Sequence, residues 1–369
     1  MFKCHIYNKG NEHARVHCLT RRRTMGMTMK EIAELAGVTR FAVSAVLGNS
    51  KSTRVSAKTR KKILRLAEKY DFVPNLAARQ LNGISSNLIG LISVPSYLGL
   101  LSVVQMEVIT ILQLRGLEVL TACQVSSNDQ RKIINEFRTR QVNGIIGFSL
   151  DSKIIQPKND QIPMVYCSHN NLCGFDVGSD VGLGGYLAAR HLLGHGRRKL
   201  VYMAWGDTGS DRLKYEGVCK ALEEAGMKAE KDNFLVIKSG NSKEILSQLR
   251  KRRADALICC NDHTAAEMLN VFLQNGIKVP DDLAVTGFDG YFFCNFTPVS
   301  LATVIQPVGE MAQRAVELLV KRMDARQSHE EFSSIKLPPS FRPGGSCGCP
   351  LPRKNMISGH PFILLDDIV

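Results

Sequence analysis

The sequence predicts a small all-α head followed by an α/β body of two doubly wound lobes. Charge, helix punctuation and strand–helix alternation carry that reading. Of the 369 residues, the first 83 hold 17 Lys+Arg against 5 Asp+Glu, and the remainder hold 31 against 29. A basic head on a near-neutral body is the electrostatic footprint of a nucleic-acid-binding module, with a merely solvated basic tail as the bland alternative. Inside the head a glycine turn separates short helical patterns, and beyond it apolar strands alternate with helices. The chain is too long for one small core.

Residues 1–27 show no periodicity and contain Arg21-Arg22-Arg23; with Met25, Met27 and Met29 close by, they read as disordered or as an extension ahead of the natural start. Thr28 and Glu31 have capping-box spacing, in which hydroxyl and carboxylate each satisfy an orphan amide at a helix start. Ile32 and Leu35 give that helix its apolar face, and Gly37 supplies the turn conformation that other residues resist. Thr39 caps a second helix with Ala42, Val43, Val46 and Leu47 turned inward. Ser56 caps a third, lined by Ile63, Leu66, Ala67 and Tyr70, with Lys58, Arg60, Lys61, Lys62 and Arg65 around the rest.

Three short helices with a glycine turn between the first two form a helix-turn-helix unit. The second helix is capped, short and free of acidic residues, as an insert into the DNA major groove must be. Its outward positions are Arg40, Phe41, Ser44 and Ala45. Hydroxyls of Thr39 and Ser44 suit phosphate oxygens, Arg40 can meet guanine acceptors, and Phe41 can meet a thymine methyl. A small protein-binding domain is the competing reading of these three helices.

The stretch "MKEIAELAGVTRFAVSAVLGN", with "VSAKTRKKILRLAEKYDFVPNLAARQL" after it, resembles the DNA-binding head of the LacI/GalR family of bacterial transcriptional regulators. The resemblance runs from Thr28 to Leu81. It implies that Arg40, Phe41 and Ala45 occupy base-reading positions and that Asn49 belongs to the DNA-contacting motif. Family members usually carry arginine where this chain has Ala45, so the family's operator sequence does not transfer. "PNLAARQL" matches the family's hinge helix, which implies a minor-groove wedge at Leu81. Asn82-Gly83 and Ser85-Ser86 read as a flexible joint.

From Asn87 the strands "LIGLISV", "LEVLTAC", "GIIGFSL", "PMVYCS", "KLVYMAW", "ADALICC" and "DLAVTGF" alternate with helical stretches. Such alternation implies parallel sheets covered on both faces. Ligands of open α/β sheets sit outside the carboxyl ends of the strands. The residues found there include Tyr97, Ser149, Trp205, Asn261 and Asp289, polar and aromatic groups suited to a sugar or nucleoside ring. "GYLAARHLLGHGRRKLVYM", "ICCNDHTAAEML", "GIKVPDDLAVTGFD" and "VSLATVIQP" resemble the family's effector-binding body, which implies a periplasmic-binding-protein-like fold. That resemblance places ligand residues at Lys214 (where the family has arginine), Asp289 and Asn261, and a pocket-side acid at Asp180. The glycine run 182–185 lacks a dinucleotide fingerprint and reads as packing.

The expected organisation is an extension (1–27), a helix-turn-helix domain (28–73), a hinge helix and linker (74–86), an effector-binding and dimerisation body (87–346) and a tail (347–369). Within the body, lobe 1 takes about 87–178 and 307–325, and lobe 2 takes about 181–305 and 328–346. The chain lacks a nucleophile elbow, a Walker motif and a secretory signal, which argues against the alternatives of an α/β enzyme or a sugar-binding transport protein. It reads as cytoplasmic. Eleven scattered cysteines lack paired C-x-x-C spacing, and His191 and His195 read as helix-end groups, so no metal and no cofactor are expected. The cluster Cys4, His5, His13, His17, Cys18 lacks the apolar residues that a zinc finger folds around. The function expected is an effector-controlled DNA-binding regulator, a homodimer and a repressor, with a near-palindromic operator and a sugar-like effector as partners.

Overall fold

A computed structural model describes residues 27–47, 55–72, 86–94, 99–126, 129–148, 162–168, 175–229, 231–237, 241–324 and 333–350. They belong to two compact units, Met1–Ser85 and Ser86–Val369. The expected extension up to residue 26, the hinge helix and most of the tail lie outside the described residues. Among those described, no helix is long and apolar enough to cross a membrane.

The head is three helices, α1 (Met29–Ala36), α2 (Arg40–Leu47) and α3 (Ala57–Lys69), around a core of Ile32, Ala33, Ala36, Val43, Val46, Ile63 and Ala67. The capping box closes as the spacing requires: Glu31 N–H donates to Thr28 Oγ1 at 3.3 Å, and Thr28 N–H donates to Glu31 Oε2 at 2.6 Å. Gly37 ends α1 in the left-handed region at φ 70°. Two expectations change. Tyr70 is exposed, with the Lys69 ammonium over its ring, because it stands at the C-cap of α3 and turns out of the core. Lys62 is not a free surface cation: its Nζ donates to the Ala36 carbonyl at 3.0 Å, where it satisfies an orphan group at the end of α1.

In the body, lobe 1 carries β1 (Leu88–Ser93), α4 (Leu100–Leu114), β2 (Glu118–Cys123), α5 (Asp129–Thr139), β3 (Gly144–Phe148), β4 (Met164–Ser168) and β5 (Val177–Ser179). Lobe 2 carries α6 (Val181–Gly194), β6 (Leu200–Ala204), α7 (Gly209–Glu224), β7 (Phe234–Val236), α8 (Ser242–Lys251), β8 (Ala256–Cys259), α9 (Asp262–Gln274), β9 (Ala284–Asp289) and β10 (Ala302–Ile305). Then α10 (Val308–Asp324) returns to lobe 1, and β11 (Ile335–Leu337) and β12 (Ser340–Arg342) follow. The strand orders are β11-β5-β4-β3-β1-β2 and β12-β10-β9-β8-β6-β7. Every pairing is parallel except β10 with β12. Each lobe is thus wound in the same way, and apolar clusters cover both faces of each sheet.

Two boundaries differ from expectation. Residues 335–337 pair with β5 in the first sheet, so the third crossover falls at Pro338-Pro339, after a strand expected in lobe 2. The turn Gly345–Cys347 packs into the lobe 2 core with Cys347 fully buried, so the body reaches into the segment expected as tail. The glycine run at 182–185 is packing, as expected. A Cβ at Gly185 would run into the Lys214 carbonyl, and one at Gly217 into that of Gly182, so α6 and α7 touch backbone to backbone. In urea unfolding, Gly185→Ala should lower stability by about 3 kcal/mol. A wild-type midpoint and slope would refute that close packing.

Candidate functional site

In the head, α2 starts from Thr39, whose Oγ1 accepts the Ala42 N–H at 3.2 Å. The hydroxyl proton of Thr39 stays available to a phosphate oxygen. Arg40 and Phe41 follow in the first turn, where the helix leaves both exposed; Phe41 is 76% exposed. Among the described residues Arg40 has no hydrogen-bond or ion-pair partner. Ser44 and Ala45 are half-buried one turn on, beside the buried Val43 and Val46. An exposed phenylalanine beside an unpaired arginine has no role in the head's own core. Asn49 and Leu81 lie outside the described residues.

In the body, the crevice of a sheet wound in this order opens between β6 and β8, where the direction of winding reverses. Trp205 follows β6, and Cys260 and Asn261 follow β8, so the strand ends bring these residues together. Trp205 Nε1–H donates to Thr264 Oγ1 at 2.8 Å, and Asn261 Oδ1 accepts the Thr264 N–H at 2.8 Å as the N-cap of α9. The indole stays 42% exposed, an apolar plate with its polar edge already satisfied. Lys214, on α7, is only 7% exposed; its Nζ donates to the Cys260 carbonyl at 2.7 Å and lies 4.1 Å from the Phe288 ring centroid. One of its three N–H donors is used in that bond.

Asp289 ends β9 in the left-handed region, at φ 110°, an uncommon conformation for a residue with a side chain. Gln306 Nε2–H donates to its Oδ1 at 2.8 Å. Burial pushes its carboxyl up to about 7, with Asp262 adding to the rise and the Lys214 ammonium and Gln306 opposing it. Asp262 was not singled out by sequence reasoning, yet it organises this corner. Its Oδ2 accepts the N–H groups of Gly290 and Tyr291, both at 2.8 Å, and its Oδ1 accepts the Thr303 hydroxyl at 2.5 Å. Burial raises its pKa, and these donors counter the rise. The available signal is its place beside Asn261 and His263 at a strand end, where only the asparagine is carried forward as a ligand residue. Gln306, equally missed, leaves its Oε1 buried and without a partner among the described residues.

Asp180 is placed elsewhere. It caps α6 through the Leu183 N–H at 2.9 Å, pairs with Lys336 Nζ at 3.2 Å, and donates its own N–H to the Leu337 carbonyl at 2.7 Å. These contacts join the first and third crossovers between the lobes. Among the described residues none of them links Asp180 to the Lys214–Asp289 group. Tyr97 and Ser149 fall outside the described residues.

Residues 28–75 match the model for bacterial regulatory proteins of the lacI family, and residues 189–347 match the periplasmic binding protein-like domain. The HTH-type transcriptional regulator DegA of Bacillus subtilis (strain 168) is 30% identical over 306 residues, which cover 78% of this chain and 88% of that one. The HTH-type transcriptional repressor PurR of Pasteurella multocida (strain Pm70) is 28% identical over 330 residues, 85% of this chain and 96% of that one. Among solved structures, a lac repressor dimer bound to operator and the anti-inducer ONPF has a TM-score of 0.75 at 20% identity, over 87% of this chain and 99% of that chain. A CelR–cellobiose complex gives 0.60 at 22% identity with the same coverage. At these identities the two structures speak to the fold.

The Asp289 carboxyl carries a testable sign. Its folded pKa lies above the unfolded value of about 3.9, so the folded chain holds a proton that the unfolded chain has released. Stability therefore falls as pH rises from about 4 to about 7. Asp289→Asn should flatten that decline when melting temperatures are compared across this range. An unchanged decline in the variant would assign it to other groups.

Proposed function

The chain belongs to the lacI family of bacterial regulatory proteins, and on that premise we propose that it represses transcription as an effector-controlled homodimer. The observation that carries the DNA-binding half is the exposed, unpaired start of α2 on a basic head. Thr39 and Ser44 anchor phosphates, which fixes the helix in register. Arg40 reads guanine and Phe41 packs on a thymine methyl. Ala45 is too short to replace the family's arginine, so the preferred operator departs from the family's common one. Asn49 adds a further DNA contact. Leu81 wedges into the minor groove from the hinge helix. A two-fold dimer requires a near-palindromic operator. The protein acts in the cytoplasm, where its DNA is.

The effector is a sugar or sugar-like metabolite held in the crevice at the strand ends. Lys214 and Asp289 meet its hydroxyls, Asn261 offers its amide N–H groups, and Trp205 covers an apolar face; Tyr97 and Ser149 close the site from lobe 1. Lysine is a point donor rather than a planar fork, so orientation falls chiefly to Asp289. Regulation follows from where Asp289 is tied. Its partner Gln306 sits on the second crossover, between β10 and α10. An effector that competes for Asp289 therefore acts on a segment joining the lobes, and a change in lobe orientation is passed to the hinge helices. Two sites coupled through one two-state element is what allosteric control requires.

Genomic fragments recovered with the purified protein supply the operator for binding measurements with and without a panel of sugars. Arg40→Ala should weaken operator binding by about 1–3 kcal/mol and relax preference at one base pair. An unchanged sequence profile removes Arg40 from the readers. Asp289→Ala should keep operator binding and lose the response to effector. Calorimetry that finds full effector affinity in this variant places the pocket elsewhere.

A further inference from the structure

Four side chains outside both sites converge on the opposite end of lobe 2. His191 lies in the last turn of α6 and His195 is its C-cap, four residues later and on the same face. Cys347 ends the turn Gly345–Cys347, and Cys349 follows two residues later, after Gly348. The His191 Nε2 atom lies 3.1 Å from Cys347 Sγ and 3.4 Å from Cys349 Sγ, and His195 Nε2 lies 3.1 Å from Cys349 Sγ. All four potential donor atoms lie within 4.8 Å of one another, and no other such group occurs among the described residues.

We propose that His191, His195, Cys347 and Cys349 form a structural zinc site. Tetrahedral zinc with Zn–S of about 2.3 Å and Zn–N of about 2.0–2.1 Å sets its ligand atoms about 3.3–3.8 Å apart. The three nitrogen–sulfur distances reach that range with movements of a few tenths of an ångström. Two imidazoles and two thiols are a borderline-soft set that suits zinc, whereas calcium and magnesium take oxygen. Two thiolates cancel the ion's charge, so the centre adds no net charge to a place where Cys347 is fully buried and the Phe341 ring centroid lies 4.3 Å from that of His191, tilted against it. Gly348 makes the C-x-C geometry possible: at φ 95° it turns the chain so that both sulfurs face α6, in a region a side chain would resist. His195 is exposed, which leaves solvent a route to the ion.

The sequence reading set these residues aside because C-x-C lacks a second C-x-x-C. The missing half is H-x-x-x-H, 156 residues earlier at the His191–Cys347 contact, and only the packing of the last turn against α6 joins the two. The site lies away from the effector crevice, since α6 ends just before β6 begins and Asp289 stands at the other end of the sheet. Its role is to pin the end of the body, and with it the edge strand β12, to α6.

The full chain, purified under reducing conditions without chelator, should carry about one zinc per chain. In its cobalt-substituted form it should show thiolate-to-cobalt charge transfer and intense tetrahedral d–d bands. Cys349→Ser and His195→Gln sit at the more open side of the cluster; each should lose most of the zinc and weaken the charge-transfer band. Cys123→Ser, an exposed cysteine outside the cluster, should keep both. Chelation should lower the melting temperature of the wild type and leave that of Cys349→Ser unchanged. Zinc far below one per chain after reconstitution, or cobalt without charge transfer, would overturn the proposal. So would a Cys347–Cys349 disulfide that persists under reducing conditions.

Discussion

The corner at the carboxyl ends of the lobe 2 strands hangs on one buried carboxylate. Asp262 stands at the first turn of α9, at the carboxyl end of β8, and reaches across to three donors, two in the loop after β9 and one on β10. A buried charge of this kind is costly unless every lone pair is met, and here two amides and a hydroxyl meet it. Gly287 passes against the same carboxylate, where a Cβ would collide with Oδ1. With the chain fixed at Gly290 and Tyr291, Asp289 is held in its left-handed conformation. Such strain persists only where the surroundings over-determine it, and it is concentrated at working sites. Asp289 thus owes its position to a neighbour on another element.

The duplicated winding gives the two lobes the same layout. Each sheet reverses direction between its first and third strands, so each lobe offers one crevice at its carboxyl ends. The chain passes between lobes three times, after β5, after β10 and after β11. Asp180, with Lys336 and the Leu337 carbonyl, ties the first passage to the third, and Gln306 ties the second to Asp289. Polar contacts therefore hold the passages, while the apolar clusters stay within each lobe. Changing those contacts need not disturb either core.

The head is built on different terms. Its core is seven small and medium side chains, and its helices are short, so end effects matter more than area. Thr28, Thr39 and Ser56 satisfy the starts of the three helices, and Lys62 satisfies the end of α1. That use of Lys62 shows how a basic surface divides between structure and ligand: one cation closes a helix while Arg40 stays uncommitted.

The parts legible in the sequence were those set by near neighbours. Caps, the glycine turn, the apolar faces of the helices and the strand–helix alternation all arise within a few residues, and the residues following a strand stand at its end wherever the strand goes. This is why Trp205, Asn261 and Asp289 could be named in advance, as could the packing role of the glycines at 182–185. Strand pairing was beyond such reasoning: 335–337 is a short apolar run that fits either sheet, and only its register with β5 decided for lobe 1. Asp262 joins Thr303 across 41 residues, and His191 meets Cys347 across 156. The sequence by itself determined the elements and the chemistry each could offer. The tertiary structure alone decided which of them meet, because the spatial neighbour of a side chain is set by packing and register, which local periodicity does not record.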